Sequence, residues 1–196
     1  MNKRIKRILF NFISPFAKLF LSLFFEKKYL NGKYFENSLA GYIWCFRAIF
    51  RQKILGFNKN IPWPVSPFIT ISNPNNISFH PDDLNNFQGF GNYYQNFDGN
   101  IIIGKGTYIA PNVGIITANH DPNDLEKHLP GKDVVLGEKC WIGMNSVILP
   151  GVVLGNHTIV GAGSVVTKSF PDGNCVIAGN PAKIIKKLEI RADNSE

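Results

Sequence analysis

One histidine of this sequence stands where an imidazole could carry out proton transfer. His120 lies at the start of the polar segment ANHDPNDLEKHLPGKD, residues 118–133, directly after an apolar run. An imidazole with a pKa near ~6.5 can take a proton from a hydroxyl group at neutral pH, which is the task of a general base. A single histidine in a polar loop is often merely solvated, so the residue type alone leaves both interpretations open.

The other histidines and the cysteines show no pattern typical of a metal site. Three histidines match no motif and are interpreted as structural or solvent-facing: His80, His128 and His157. With His120 they share no regular spacing, whereas a metal site needs several ligands at one point. The cysteines are odd in number and also lack metal-type spacing: Cys45, Cys140 and Cys175. We therefore predict reduced thiols in a reducing compartment and no metal cofactor.

An aliphatic residue recurs at every sixth position in two series, Ile103, Ile109 and Ile115, then Leu136, Ile142, Ile148, Leu154, Val160 and Val166. Neither the helical period of about 3.6 nor the strand period of about 2 predicts this spacing, whereas an internal repeat does. Small or β-branched residues lie two positions before the aliphatics of the second series, and glycine often follows them. The pattern is typical of short strands joined by tight turns, with aliphatic side chains filling a narrow prism. Ile71 and Ile77, again six apart, predict one or two irregular coils before the regular ones.

The six-residue period stops between Ile115 and Leu136. Residues 119–133 between them are polar and include two prolines, so we predict a loop excluded from the coil. Loops on a rigid scaffold commonly hold reactive groups. The loop therefore places His120 close to the last strand before the break, where its position would be well fixed.

These motifs together resemble the hexapeptide-repeat acyltransferases. The resemblance rests on IIIGKGTYIAPNVGIIT, on NHDP and on CWIGMNSVILPGVVLGNHTIVGAGSVVTKSFPDGNCVIAGNPAKII, covers about residues 97–188, and is closest to the galactoside, maltose and polysaccharide O-acetyltransferase branch. It implies a mainly β fold, a left-handed parallel β-helix of hexapeptide repeats, and a homotrimer. It also implies that His120 serves as the general base.

Further site residues follow from the resemblance alone. In similar enzymes acetyl-CoA lies in a groove between neighbouring subunits. The matching positions here are Trp141, Met144, Ala162, Thr167, Lys168 and Lys183. The Met144 N–H would stabilise the oxyanion, and Lys168 and Lys183 would supply charge to the phosphates. An upstream asparagine also acts in similar enzymes; Asn96 in YYQNFDG matches it, although its interval to His120 is about one hexapeptide shorter than in the family pattern.

The resemblance implies direct acetyl transfer from acetyl-CoA to a hydroxyl group. We expect the acceptor to be a sugar, in a surface polysaccharide or its precursor. Three alternatives stay open: a metal enzyme like the gamma-type carbonic anhydrases, an N-acetyltransferase of a sugar or small molecule, and a non-catalytic β-helix scaffold.

Basic residues are concentrated at the N-terminus. Of the net charge of +7, residues 1–60 contribute 12 Lys and Arg against Glu26 and Glu36, a net +10, and the remainder, 9 against 12, contributes −3. In residues 1–28 polar side chains recur at steps of three or four and leave a broad apolar face: Arg4, Arg7, Asn11, Ser14, Lys18 and Ser22. We predict an amphipathic helix lying in a membrane surface, kinked or interrupted by Pro15, and no nucleic-acid partner. The alternative is that the apolar face packs on the protein or on a partner subunit.

Three segments are predicted along the chain. Residues 1–60 form a basic amphipathic helical segment for which we predict association with a membrane surface, and which includes a second apolar and aromatic stretch at 41–57. The proline-rich IPWPVSP ends helix formation, and residues 61–188 form the β-helix, followed by a tail at 189–196. With no cleavage site for export evident, we expect a cytoplasmic protein, peripheral on the inner face of the cell membrane.

Overall fold

The computed structural model describes residues 3–189, without the side chains of residues 3–9 and Asn11. Most of the predicted tail at 189–196, and the side chains at the predicted polar positions 4, 7 and 11, therefore lie outside the described part. The chain divides into two compact units, one up to Pro67 and one from Phe68. This division falls at the end of the proline-rich segment, whose residues 61–67 are in neither helix nor strand.

The N-terminal unit is helical. It contains α1 (Lys3–Leu21), α2 (Lys33–Glu36) and α3 (Ala40–Ala48), with a 3-10 turn at Lys27–Tyr29 and a π-helical continuation of α3 at Ile49–Ile54. The helix α1 continues past Pro15, so the predicted interruption does not occur. None of the described helices combines the length and the apolar character needed to span a membrane.

A buried glutamine joins the π-helical turn to the proline-rich segment. The Gln52 side-chain amide donates to the carbonyls of Ile61, at 2.7 Å, and Trp63, at 3.1 Å, and its oxygen accepts from the Val65 N–H at 3.2 Å. Extended backbone that is buried without a strand partner needs such bonds, because unpaired buried polar groups are costly. One side chain therefore anchors the segment that ends the helical unit.

The second unit is built from short strands. In chain order they are β1 (Thr70–Ile71), β2 (Ile77–Ser78), β3 (Tyr93–Gln95), β4 (Ile101–Ile103), β5 (Tyr108–Ile109), β6 (Gly114–Ile116), β7 (His120–Asp121), β8 (Asp124–His128), β9 (Val134–Leu136), β10 (Trp141–Ile142), β11 (Val147–Ile148), β12 (Val153–Leu154), β13 (Thr158–Val160), β14 (Val165–Val166), β15 (Cys175–Gly179) and β16 (Ala182–Lys187). Two 3-10 helices, Pro74–Asn76 and Pro81–Phe87, interrupt the early strands.

Three sheets of parallel strands form the sides of a β-helix in the described part of this unit. The first contains β1, β3, β6, β11 and β14; the second contains β2, β4, β9 and β12; the third contains β5, β10, β13 and β15, with β16 antiparallel at its edge. From β3 to β6 and from β9 to β14 the chain passes from sheet to sheet in rotation. The first two strands pair with β3 and β4, so the irregular coil predicted from Ile71 and Ile77 is present.

The aliphatic residues of the six-residue period form the core of this β-helix. All nine are buried, and they align in register from coil to coil: Ile142 lies opposite Ile109 and Val160, and Ile148 lies opposite Ile115 and Val166. The internal repeat predicted from the sequence is confirmed.

Buried hydroxyl groups occupy inward positions two residues before some of these aliphatics. The hydroxyls of Ser146, Thr158 and Ser164 each donate to the carbonyl of the glycine three residues earlier, at 2.6–2.7 Å. Each buried hydroxyl group thereby finds an acceptor in a turn carbonyl near the core. Glycine at these turns also lets the coils approach: a Cβ on Gly155 would lie 2.1 Å from the carbonyl oxygen of Pro171.

The three cysteines are buried and free. Burial raises the pKa of the Cys45 thiol to about 12, and it also raises the pKa of Cys140 and Cys175. Because the thiolate is the reactive form, we expect iodoacetamide at neutral pH to leave the native protein unmodified, and to modify all three cysteines in denaturant, as followed by mass spectrometry. Labelling of the native protein as fast as free glutathione would contradict this expectation.

Candidate active site

The segment predicted as a loop folds as a β-hairpin. Strands β7 and β8 pair antiparallel, outside the three sheets of the β-helix, and His120 lies opposite His128. At the turn, the Asp121 carboxylate accepts from the Asn123 N–H at 2.8 Å. This side chain closes the turn in the way a backbone carbonyl would, so the polar segment forms strands where we predicted none.

The hairpin is closely tied to the β-helix at its base. The Leu129 N–H donates to the carbonyl of Asn119 at 2.8 Å, and the Lys132 N–H donates to that of Thr117 at 2.7 Å. Below them, the Gln95 side-chain oxygen accepts from the N–H groups of Thr117 and Ala118 at 3.1 and 3.2 Å. The residues that precede His120 are therefore held on a rigid coil. The sequence analysis did not single out Gln95.

A backbone carbonyl orients the ring of His120. The Nδ1 atom lies 2.7 Å from the carbonyl oxygen of Leu125, on the facing strand. Since a carbonyl only accepts, Nδ1 carries the hydrogen and the neutral ring has its lone pair on Nε2. The side chain is exposed, so Nε2 is accessible to a substrate hydroxyl. This is the protonation pattern that a general base requires.

A second imidazole packs on the first. The rings of His120 and His128 are 4.2 Å apart between centroids and inclined by 36°, and the ring of Phe97 meets that of His128 edge-on at 4.9 Å. We interpreted His128 from the sequence as structural or solvent-facing; it is exposed, but it contacts the candidate base. The Asp-Pro-Asn-Asp turn between the two histidines is the sequence signal that could have paired them.

Asn96 directly follows β3, and its side chain bonds within the first two coils. Its side chain is completely buried, the amide donates to the carbonyl of Asn73 at 2.7 Å, and its oxygen accepts from the Asn73 N–H at 3.0 Å. Both ends of the carboxamide therefore join the first two coils. This arrangement fits the shortened interval to His120 and gives Asn96 a structural role.

Three of the residues matched to acetyl-CoA binding lie along one edge of the prism, where the third sheet meets the first. Met144 follows β10, Ala162 follows β13 in the next coil, and Lys183 on β16 pairs with Ala178 at the end of β15. The Met144 carbonyl accepts from the Gly163 N–H at 2.8 Å. Within residues 3–189 no acceptor receives the Met144 N–H, which is therefore available to an oxyanion. The ring of Trp141 is exposed on the outer face of β10.

The remaining matched residues lie along a different edge. Thr167 and Lys168 follow β14, at the edge between the first and second sheets from which the hairpin also projects. Lys168 Nζ lies 5.8 Å from the centre of the Phe170 ring. The predicted site residues are thus divided between two edges, and a single chain does not bring His120 beside Met144.

No three His, Cys, Asp or Glu side chains are grouped so as to hold a metal ion within the described residues. His80 is used locally, since its Nδ1 accepts from the Asp82 N–H at 3.1 Å.

A family model covers the regular part of the coil. Residues 133–168 match the family described as bacterial transferase hexapeptide, six repeats. These residues span β9 to β14, whose inward aliphatics are all buried. This part of the chain is therefore similar to the bacterial transferase hexapeptide family. The hexapeptide-repeat resemblance noted from the sequence is confirmed over residues 133–168.

Similar proteins are named acetyltransferases. A Dictyostelium discoideum protein so named is 44% identical over 111 residues, which are 52% of this chain and 58% of that protein. One from Saccharomyces cerevisiae is 42% identical over 120 residues, which are 56% of this chain and 60% of that protein. A solved galactoside acetyltransferase in complex with coenzyme A is 30% identical, with a TM-score of 0.55 over 65% of this chain and 62% of that one. The chain spans about three fifths of the length of these relatives.

Proposed function

We propose that this protein is an acetyl-CoA-dependent O-acetyltransferase that uses His120 as its general base. The observation that carries the proposal is the hydrogen bond from His120 Nδ1 to the Leu125 carbonyl, because it leaves the lone pair on the exposed Nε2. The hexapeptide repeats and the acetyltransferase names of the relatives support the class of reaction.

In the proposed reaction, His120 Nε2 takes the proton of the acceptor hydroxyl as its oxygen attacks the thioester carbonyl. The Met144 N–H donates to the carbonyl oxygen as negative charge develops there. When the carbon–sulfur bond breaks, the imidazolium returns its proton to the departing thiolate. A single well-placed donor contributes on the order of 3 kcal/mol, and general-base assistance a factor of about 10²–10⁴. Asn96 is left out, because its carboxamide is occupied by Asn73.

The division of the site between two edges supports an assembly in which neighbouring copies complete it. We infer a homotrimer of left-handed β-helices, in which the hairpin edge of one copy faces the Met144 edge of the next. Acetyl-CoA would lie between them, with Trp141 and Ala162 along its path. Thr167, Lys168 and Lys183 would hold its polar groups, since lysine ammonium groups bind phosphates.

The acceptor we propose is a sugar hydroxyl of a surface polysaccharide or its precursor. The relation to a galactoside acetyltransferase supports a sugar. We also propose a location on the inner face of the cell membrane, which would bring the enzyme to lipid-linked precursors.

Labelled acetyl-CoA and candidate acceptors test this function. The protein is incubated with oligosaccharides, lipid-linked sugars and amino sugars, and acetylated products are treated with mild alkali, which cleaves esters and leaves amides. We expect alkali-labile label on a sugar hydroxyl. Alkali-stable label found only on amino sugars would indicate N-acetylation in place of O-acetylation. A rate of acetyl-CoA consumption no higher than spontaneous hydrolysis, with no labelled acceptor, would refute the proposal.

A further inference from the structure

The helix α1 presents its apolar side outward. Phe12, Phe16, Leu19 and Leu23 are 71%, 65%, 65% and 76% exposed. The opposite side faces the rest of the N-terminal unit: Ser14 is half-buried against the hydroxyl of Tyr42, Lys18 is half-buried, and Leu21 is completely buried. A helix of a water-soluble domain has the reverse arrangement, with its apolar stripe on the core. Within the N-terminal unit, these apolar side chains are therefore not packed on the other helices.

A second helical segment of the same unit also exposes apolar side chains. On α3 and its π-helical continuation, Ile43, Phe46, Phe50 and Ile54 are 46%, 54%, 56% and 69% exposed. Two arginines, Arg47 and Arg51, are exposed beside them. Aromatic side chains interleaved with basic ones are typical of helices that lie at a membrane–water interface.

The two helices are in contact. The Phe10 ring meets the Tyr42 ring edge-on at 5.9 Å, and Ser14 bonds to the same tyrosine. Tyr42 in turn packs on Phe35 of α2 with ring centroids 5.1 Å apart. The outward side chains of α1 and α3 are thus carried by one packed helical unit.

We propose that the exposed faces of α1 and of residues 43–57 form a docking surface for an anionic lipid bilayer. Charge selects this occupant: the 12 basic residues against two acidic ones in residues 1–60 are attracted to anionic headgroups, each by about 1 kcal/mol near the surface. A second copy of the same surface would bring equal net charges of +10 together. In this arrangement the bilayer covers Phe16 and the other exposed apolar side chains of α1, while the polar side of the helix remains packed against Tyr42. This differs from the sequence prediction for residues 1–28, in which the polar stripe of the helix remained in water.

Flotation of the full chain with phosphatidylcholine vesicles, with and without phosphatidylglycerol, tests the apolar part of the surface. We expect the protein to float with the anionic vesicles. Replacing Phe16 and Leu19 by serine should weaken the vesicle affinity about tenfold or more, because two large apolar side chains no longer enter the bilayer. Ile185→Ser is the matched control, since Ile185 on β16 is also 65% exposed, and it should float as the unaltered chain does.

Charge reversal tests the basic part. Arg47→Glu with Arg51→Glu should abolish the preference for phosphatidylglycerol, whereas Lys186→Glu with Lys187→Glu, the same change on the β-helix unit, should retain it. Equal flotation of both double variants would overturn the proposal. A full chain that does not bind vesicles, and whose oligomeric state changes when Phe16 and Leu19 are replaced, would instead assign this surface to a second copy. Flotation does not depend on acetyl transfer, so either proposal can fail without the other.

Discussion

Replacing His120 by asparagine is expected to lower the kcat of acetyl transfer by about 10²–10⁴-fold, the usual contribution of general-base assistance. Asparagine can still donate to the Leu125 carbonyl, so the hairpin should keep its geometry, but its amide cannot take a proton from a hydroxyl. The KM for acetyl-CoA should change little, because His120 is not among the residues proposed to hold acetyl-CoA. Initial rates with labelled acetyl-CoA at saturating acceptor measure the effect.

The matched control is His157→Asn. His157 precedes β13 with a φ of 56°, a left-handed conformation that asparagine adopts more readily than most residues. The same substitution there should leave kcat unchanged. A His120→Asn enzyme with the rate of this control, and with an unchanged thermal transition, would exclude His120 as the base.

Replacing Ile148 by alanine is expected to lower the free energy of unfolding by about 2–5 kcal/mol, the range for a buried aliphatic reduced to alanine. Ile148 is completely buried, and it stacks between Ile115 and Val166 in the first sheet. Coils above and below are held by their own turns, so the gap cannot close easily. Chemical denaturation at a fixed protein concentration measures the loss, since oligomer formation would add its own concentration dependence.

Ile102→Ala removes the same atoms from the outer face of the coil. Ile102 is 40% exposed on β4, between the buried Ile101 and Ile103. We expect a loss of less than about 1 kcal/mol, because surface substitutions rarely cost more. Equal losses for the two variants would show that the inward position carries no special stability.

The coil could be predicted from the sequence because its core residues recur at a fixed interval. Each inward aliphatic recurs six positions on, and the register of Ile142 with Val160, three repeats later, follows from that repeat. The register of Ile142 with Ile109 does not, because the interrupted segment lies between them. The hairpin could not be predicted in this way, since its pairing depends on one turn in which the Asp121 carboxylate accepts from Asn123. Without that pairing, nothing in the sequence indicates that the ring of His128 packs on the ring of His120.

The helical unit shows a second limit. The spacing of Phe12, Phe16 and Leu19 predicts an amphipathic helix, but not which side the rest of the protein covers. That choice depends on Tyr42, about thirty residues away, whose hydroxyl meets Ser14. Asn96 is a third case: a residue that resembles a catalytic position by motif is buried instead by its bonds to Asn73.

The closed base of the hairpin makes it an independent module. Because the Lys132 N–H bonds directly to the Thr117 carbonyl, the chain completes its circuit of the prism beneath the inserted strands. The winding above and below does not depend on how many residues are inserted between these two points. Insertions of other lengths can therefore be accommodated at this junction, while the coil that supports them stays the same.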